Sequence, residues 1–264
     1  MPPPQHYLAL CILAAGSFLS AAPVAQAEPL AAGPALVQAY PDFLDRVDGS
    51  ELVWRDGTRM PIDDGSPAKP LDAMLDHPDL KDMFSMPYPA GEKGIPPAVD
   101  FDPGRVRYGP LFQRMYGDCH APRFMSNAVP VDWLPTRSGK KLKFTKINGA
   151  AQALQKVSAE LDKLPSSFME YLMPPAGTYN CRSVAATDRL SPHAYGIAID
   201  INASKADYWQ WAKKPAGASV PYQNHVPLEI VDIFERHGFI WGGKWYHYDT
   251  MHFEYRPEII ATAR

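Results

Sequence analysis

The stretch that decides the fold is Ser191-Pro-His-Ala-Tyr-Gly-Ile-Ala-Ile-Asp200, read with Asp249-Thr-Met-His-Phe-Glu254 near the C-terminus. The run 196–202 is short and apolar, which indicates a buried strand. Residues 251–255 read as a second strand, with His252 on one face and Phe253 on the other. The polar side chains of these two strands can therefore converge at one edge of a sheet.

His193, Asp200 and His252 are three candidate metal ligands, and Asp249 is a further carboxylate just before the last of them. Imidazole nitrogens and carboxylate oxygens bind zinc at ~2.0–2.2 Å. A catalytic zinc site needs three protein ligands, an open fourth position and a carboxylate that handles protons. One His-x6-Asp pair alone is more often a satisfied pair of core residues. Its combination with Asp-x-x-His, two strands and Gly196 favours a metal site.

The pattern around this core mixes helices and strands without strict alternation, so it predicts an α+β fold. Asn148 is expected to cap a helix over 149–164. Pro227 suits the first turn of another helix that Gly238 ends. Further strands are predicted over 142–147, 177–182 and 239–241.

The N-terminal part has a different composition. Residues 28–127 are rich in Pro, Gly and Asp, which indicates many turns. Glu51 to Gly57 predicts a short hairpin, and residues 71–84 predict one or two helical turns. Apolar residues recur throughout, so we expect an ordered extension packed on a core domain that spans 128–264.

Residues 1–27 are predicted to be a secretory signal peptide. The apolar run from Tyr7 to Ala22 precedes Ala25-Gln-Ala27, a small-x-small cleavage site, although no Lys or Arg precedes the run. The run is short of the ~20 apolar residues of a spanning helix, so we expect no stable membrane span after cleavage. The sequence thus predicts a secreted, periplasmic protein.

Net charge and cysteine content bear on the partners and the cellular compartment of the protein. The net charge of −3 offers no basic field for nucleic acid. Cleavage leaves Cys119 and Cys181, which can form a disulfide in an oxidising compartment or remain two separate buried thiols. The residues alone leave both states open.

The motif Ser-x-His-x-x-Gly-x-Ala-x-Asp, followed by Asp-x-x-His-Phe-Glu, resembles the VanY-like family of zinc peptidases. The resemblance covers about 176–256. It implies zinc on the three ligands named above and Asp249 as the catalytic base. The family also uses an arginine upstream of the first histidine. Arg182 is preferred for this role, and Arg189 and Ser191 are candidate substrate contacts.

The resemblance further implies a small, mostly antiparallel sheet with flanking helices and the zinc site at the sheet, as in the hedgehog and DD-peptidase folds. It implies a zinc peptidase that acts on peptidoglycan stem peptides as a D,D-carboxypeptidase. Two alternatives stay open, an L-Ala-D-Glu endopeptidase and a non-catalytic zinc-containing protein that binds peptidoglycan. A serine DD-peptidase is disfavoured: Ser138-Gly-Lys-Lys141 matches its first motif, but its other two motifs are absent.

Overall fold

The structure is a computed structural model that describes residue 1 and residues 31–91, 95–185, 187–215 and 218–263. Apart from Met1, the predicted signal peptide lies outside the described residues. Within the described ranges, no helix has both the length and the apolar character needed to cross a bilayer.

The strands form three small antiparallel sheets, which agrees with the predicted α+β class. The first sheet has the order β1-β2-β3, the second pairs β4 with β5, and the third has the order β6-β8-β7. The strand bounds are β1 Leu44–Asp48, β2 Glu51–Trp54, β3 Arg59–Pro61, β4 Ala128–Trp133, β5 Lys140–Thr145, β6 Ala198–Asp200, β7 Phe239–Trp241 and β8 His252–Tyr255.

Helices surround these sheets, and the longest, α4, packs along β4 and β5. The helix bounds are α1 Ala32–Ala39, α2 Leu71–Asp76, α3 Gly109–Tyr116, α4 Ala150–Leu161, α5 Met169–Leu172, α6 Leu228–Arg236 and α7 Pro257–Ala261. The predicted hairpin is confirmed, because β2 pairs with β3 across the Asp56-Gly57 turn.

Three local predictions are wrong. Asn148 does not cap α4, because both it and Gly149 adopt left-handed backbone angles and the helix begins only at Ala150. Pro227 is extended and lies one residue before α6. The predicted strand 177–182 forms only a single bridge from Gly177 to Asp200, since the chain then runs along the turn that carries His193.

The hydrophobic core is continuous between the N-terminal and C-terminal parts of the chain. Leu36, Tyr40 and Phe112 belong to the same buried cluster as Phe234 and Phe253. The rings of Phe234, on α6, and Phe253, on β8, stack with centroids 3.8 Å apart. Each fully buried large apolar side chain contributes about 1.5–3 kcal/mol, so this core fixes β8 firmly against α6. The domain boundary at 127/128 stays a prediction.

Candidate metal centre and its cleft

Strand register brings two of the three predicted ligands together. In the antiparallel pairing of β6 with β8, Asp200 lies directly opposite His252. Directly opposed residues on one face of such a pair have Cβ atoms about 4.5–5.5 Å apart. Phe253 points to the other face and into the core, as the alternation predicted.

The third ligand comes from a turn that Gly196 makes possible. His193 lies in a short 3₁₀ helix, Pro192–Tyr195. The Gly196 amide closes this helix by donating to the carbonyl oxygens of Pro192 and His193. Gly196 has φ +70°, a left-handed conformation that favours glycine. Its carbonyl also accepts from the Thr145 amide at 3.0 Å, which ties this turn to β5. The turn therefore projects His193 back over the end of β6.

The three side chains form a tight cluster. His193 Nε2 lies 3.3 Å from His252 Nδ1 and 3.2 Å from Asp200 Oδ2, and His252 Nδ1 lies 2.9 Å from Asp200 Oδ1. Ligands at ~2.0 Å from a tetrahedral zinc ion are about 3.3 Å apart. The side chains therefore fit a zinc ion with little rearrangement.

A metal-bound imidazole usually donates its second ring N–H to an acceptor, and His193 has such a partner at hydrogen-bond distance. His193 Nδ1 lies 2.5 Å from the carbonyl oxygen of Thr178. His252 Nε2 lies 3.8 Å from the buried carboxylate of Glu254. The carbonyl contact orients His193 with Nε2 toward the cluster.

Electrostatics favour a cation at this point. Burial alone would raise the pKa of Asp200, but hydrogen bonds and charge from His193 and His252 lower it well below its usual range. Burial would likewise lower the pKa of His252, yet the surrounding carboxylates raise it to about 9. A buried site that holds a proton this strongly is also suited to a metal cation.

Asp249 has the features of a general base at the same cleft. It lies in the turn before β8, and its Oδ1 is buried without a hydrogen-bond partner among the described residues. Burial is the largest effect on its pKa, which is raised to about 6. An unpartnered buried carboxylate with this pKa can accept a proton near neutral pH.

The cluster opens into a cavity of about 470 Å³. The predicted residues Arg182, Arg189 and Ser191 all line it. Arg182 is exposed, and its one hydrogen bond within the described structure goes to the Ser183 carbonyl. Ser191 is buried, and its hydroxyl accepts from the His193 amide, so it also shapes the turn that carries His193.

Aromatic side chains also line the cavity. Tyr208, Trp209, Trp211 and Trp245 line it, whereas Trp241 is fully buried in the core. Trp211 is 59% exposed at the rim. The aromatic residues of this region are thus divided between the core and the cleft wall.

Two further groups of potential ligands occur among the described residues, namely Cys119, His120 and Cys181, and Asp63, Asp64 and Asp79. In the first group, Cys119 and Cys181 form a disulfide with Cα atoms 5.6 Å apart, so their thiolates are not available. In the second, Lys69 lies within salt-bridge distance of two of the three carboxylates. The histidine–aspartate cluster is therefore the metal candidate.

Comparison with known proteins bears on the same region. Residues 185–255 match the family model described as D-alanyl-D-alanine carboxypeptidase. The matched segment includes all three candidate ligands and Asp249. It confirms the resemblance read from the sequence. Because of this similarity, we refer to residues 185–255 as the VanY-like segment.

No curated protein and no solved structure matches the chain. The VanY-like segment covers just over a quarter of the sequence. Arg182 and the disulfide partner Cys181 lie upstream of it. The disulfide, which the sequence left open, joins the N-terminal part of the chain to the residue next to Arg182.

The N-terminal part of the chain contributes side chains to the cleft of the VanY-like segment, which the sequence did not predict. Arg105 and Arg107 line the same cavity as His193 and Asp249. They follow an Asp-Pro-Gly turn at 102–104, and two arginines directly after such a turn were the available signal.

Proposed function

We propose that the protein is a zinc-dependent peptidase that cleaves peptidoglycan stem peptides as a D,D-carboxypeptidase. The observation that carries this proposal is the convergence of His193, Asp200 and His252 in an open cleft that Asp249 also lines. The buried Oδ1 of Asp249 has no hydrogen-bond partner among the described residues. The family match supports a metallopeptidase of the cell wall in general.

The three ligand residues would hold the zinc ion. A zinc ion in such a site polarises a carbonyl group and lowers the pKa of water to ~7. Thr178 keeps His193 in the orientation that presents Nε2, and Glu254 faces the far nitrogen of His252. The contact with Thr178 fixes the orientation of His193 before substrate arrives.

Asp249 takes the proton from the attacking water and later gives it to the leaving amine. Its raised pKa suits both steps, because a base with a pKa near the working pH can also release the proton. Arg182 would stabilise the negative charge that develops on the carbonyl oxygen. A clamp of this kind is worth about 3–4 kcal/mol of the barrier.

Two alternatives remain distinct. An L-Ala-D-Glu endopeptidase is compatible with the aspartate at position 249, since this residue type resembles both the endopeptidase and the VanY-like branches and argues only against the dipeptidase branch. A zinc-containing protein that binds peptidoglycan without cutting it would need the base to be ineffective. The disulfide supports a periplasmic location for all three, because disulfides persist in oxidising compartments.

The test combines metal analysis with mass spectrometry of muropeptides. Protein purified without chelator should contain one zinc per chain. Zinc-loaded protein should release the terminal D-Ala from pentapeptide muropeptides. Chelator-treated protein and Asp249→Asn are the controls that should not. An internal cut would replace the carboxypeptidase proposal with the endopeptidase. Zinc binding with intact muropeptides would leave the binding protein, and a failure to bind zinc would refute the metal site.

A further inference from the structure

A second cavity of about 330 Å³ adjoins the metal cleft. The residues that line both cavities are Arg105, Arg107, Val184 and Arg189. Arg105 and Arg107 come from the N-terminal part, and Arg189 comes from the VanY-like segment. The boundary between the two cavities is therefore built from two distant stretches of the chain and is rich in arginine.

The segment that carries Arg105 is held rigidly against the metal-site strands. Residues 101–104 receive four hydrogen bonds from the C-terminal region: Tyr246 N to Phe101 O, His247 N to Asp102 Oδ1, Trp245 Nε1 to Pro103 O and Arg256 Nη1 to Gly104 O. Gly104 has φ +76°, and a Cβ there would lie 2.7 Å from Ile240. The segment is thus fixed in a conformation that glycine permits.

Arg105 itself is oriented on two sides. Its Nη1 donates to Asp102 Oδ2 at 2.5 Å, and its guanidinium lies 5.8 Å from the ring centroid of Trp245. His247 Nδ1 shares the same carboxylate oxygen at 2.9 Å. Asp102 is fully buried, so it positions the guanidinium at the cavity wall. The remaining donors of Arg105 make no hydrogen bond within the described part of the chain.

Arg107 and Arg189 differ in how their charge is balanced. Arg107 makes a bidentate ion pair with buried Glu254 and donates to the Arg105 carbonyl, so its donors are already engaged within the protein. Arg189 Nε lies 3.4 Å from Oδ1 of the exposed Asp76 but makes no hydrogen bond in the described structure. Burial is the main cause that lowers the pKa of Arg189, and the positive charges of Arg105 and Arg107 add to it. An anion between Arg105 and Arg189 would relieve this repulsion.

We propose that Arg105 and Arg189 form a subsite that binds a carboxylate of the peptide beside the metal centre. The planar guanidinium is suited to carboxylates because it donates two parallel hydrogen bonds. The neighbouring cavity adds an apolar surface from Leu75, Tyr108 and Tyr195, which suits the aliphatic part of the same residue. This inference deepens the proposed function and rests on it for the identity of the peptide.

A stem peptide offers two kinds of carboxylate, the C-terminal one and the internal α-carboxylate of D-Glu. Four synthetic pentapeptides distinguish them, with each carboxylate either free or amidated. Dissociation constants are measured for zinc-loaded Asp249→Asn, which does not turn over, and KM and kcat are measured for the active protein. Amidation of the bound carboxylate should raise Kd and KM about 10- to 100-fold and leave kcat nearly unchanged.

Arg105→Met and Arg189→Met should each bind the free peptide as weakly as the wild type binds the amidated one. They should also no longer distinguish the two peptides. Arg105→Lys should recover part of the preference, because it restores charge without the paired hydrogen bonds. Arg46→Met, an exposed arginine on β1, is the matched control and should keep the full preference. Circular dichroism and melting temperature confirm that each variant is folded.

The outcomes separate this subsite from the proposed function. A wild type that binds free and amidated peptides equally overturns the subsite, even if it cleaves them. Arginine variants that retain the wild-type preference overturn it as well. A wild type that prefers the free carboxylate but cuts nothing supports the subsite and refutes the peptidase. A wild type that neither binds nor cuts any of the four peptides refutes both.

Discussion

The charged residues of the N-terminal part and of the VanY-like segment are used in opposite ways. In residues 31–91, most ion pairs lie at the surface, as between Arg59 and Glu51 or Lys81 and Asp63. In the VanY-like segment, His193, Asp200 and His252 are buried or half-buried and crowd around one point. The first arrangement leaves the charged groups hydrated at the surface. The second concentrates them in the cleft, where they can contact a metal ion and a substrate.

The segment 101–107 lies between these two types. It belongs to the N-terminal part by sequence, but its arginines face the cleft and its carboxylate Asp102 is fully buried. Burial of paired charges costs desolvation energy that surface pairs avoid. The comparison teaches that the N-terminal part is not only a support, because one of its turns supplies wall residues of the cleft.

The largest loss of activity should come from substitutions in the histidine–aspartate cluster and at Asp249. His252→Ala removes a ligand, so we expect loss of both zinc and hydrolysis. Asp249→Ala removes only the proton acceptor, so the zinc should remain and the rate should fall about 10²–10⁴-fold. Zinc content by elemental analysis, measured beside the rate of muropeptide cleavage, distinguishes the two. Wild-type rates in Asp249→Ala with zinc intact would refute its role as base.

The next effect concerns the covalent link between the two regions. Cys119 and Cys181 are 62 residues apart, and a loop of this length implies about 4 kcal/mol of stabilisation through the unfolded state. The double variant Cys119→Ser, Cys181→Ser should lose about this much free energy of unfolding in urea titrations. Reductant should destabilise the wild type similarly and leave the variant unchanged. An unchanged wild type under reductant would contradict the disulfide.

A smaller effect is expected from the buried ion pair that joins the regions. Arg107→Met leaves the Glu254 carboxylate with Arg256 as its remaining arginine partner, so we expect a loss of about 3 kcal/mol at pH 7. Burial would raise the pKa of Glu254, but Arg107 and Arg256 hold it well below its ordinary value of 4.5.

The sign of the pH dependence follows from this lowered pKa. The contribution of Glu254 to stability is fully present above pH 4.5 and is lost as the pH falls toward the lower pKa of the folded state. The difference in free energy of unfolding between Arg107→Met and the wild type should therefore shrink in acid. Urea unfolding of both metal-free proteins at pH 7 and pH 4 measures this. A difference that grows in acid would contradict the ion-pair assignment.

The smallest effect should come from the exposed pair of Arg46 with Asp45. Both side chains are largely exposed, so Arg46→Met should cost no more than about 1 kcal/mol. Equilibrium unfolding under the same conditions gives the value. A cost comparable to that of Arg107→Met would remove the distinction between surface pairs and the buried links to the cleft.

The sequence by itself determined the candidate metal ligands and the elements that carry them. Ligand chemistry depends on residue type and spacing, and the period-2 alternation of β8 placed His252 opposite to Phe253. The same local signals identified α4, α6 and the strands of the third sheet, with errors of one or a few residues at their ends. Capping failed at Asn148 because a left-handed pair with Gly149 replaced the expected cap.

Only the tertiary structure decided which distant residues join that cluster. No local pattern relates Arg107 to Glu254, which is 147 residues away, or Arg105 to Arg189 across the boundary of two cavities. The tertiary structure also pairs Cys119 with Cys181 in a disulfide, whereas the sequence left both a disulfide and two separate thiols open. The physical reason is that hydrophobic burial is non-directional, so the contacts between distant segments depend on how the whole core packs.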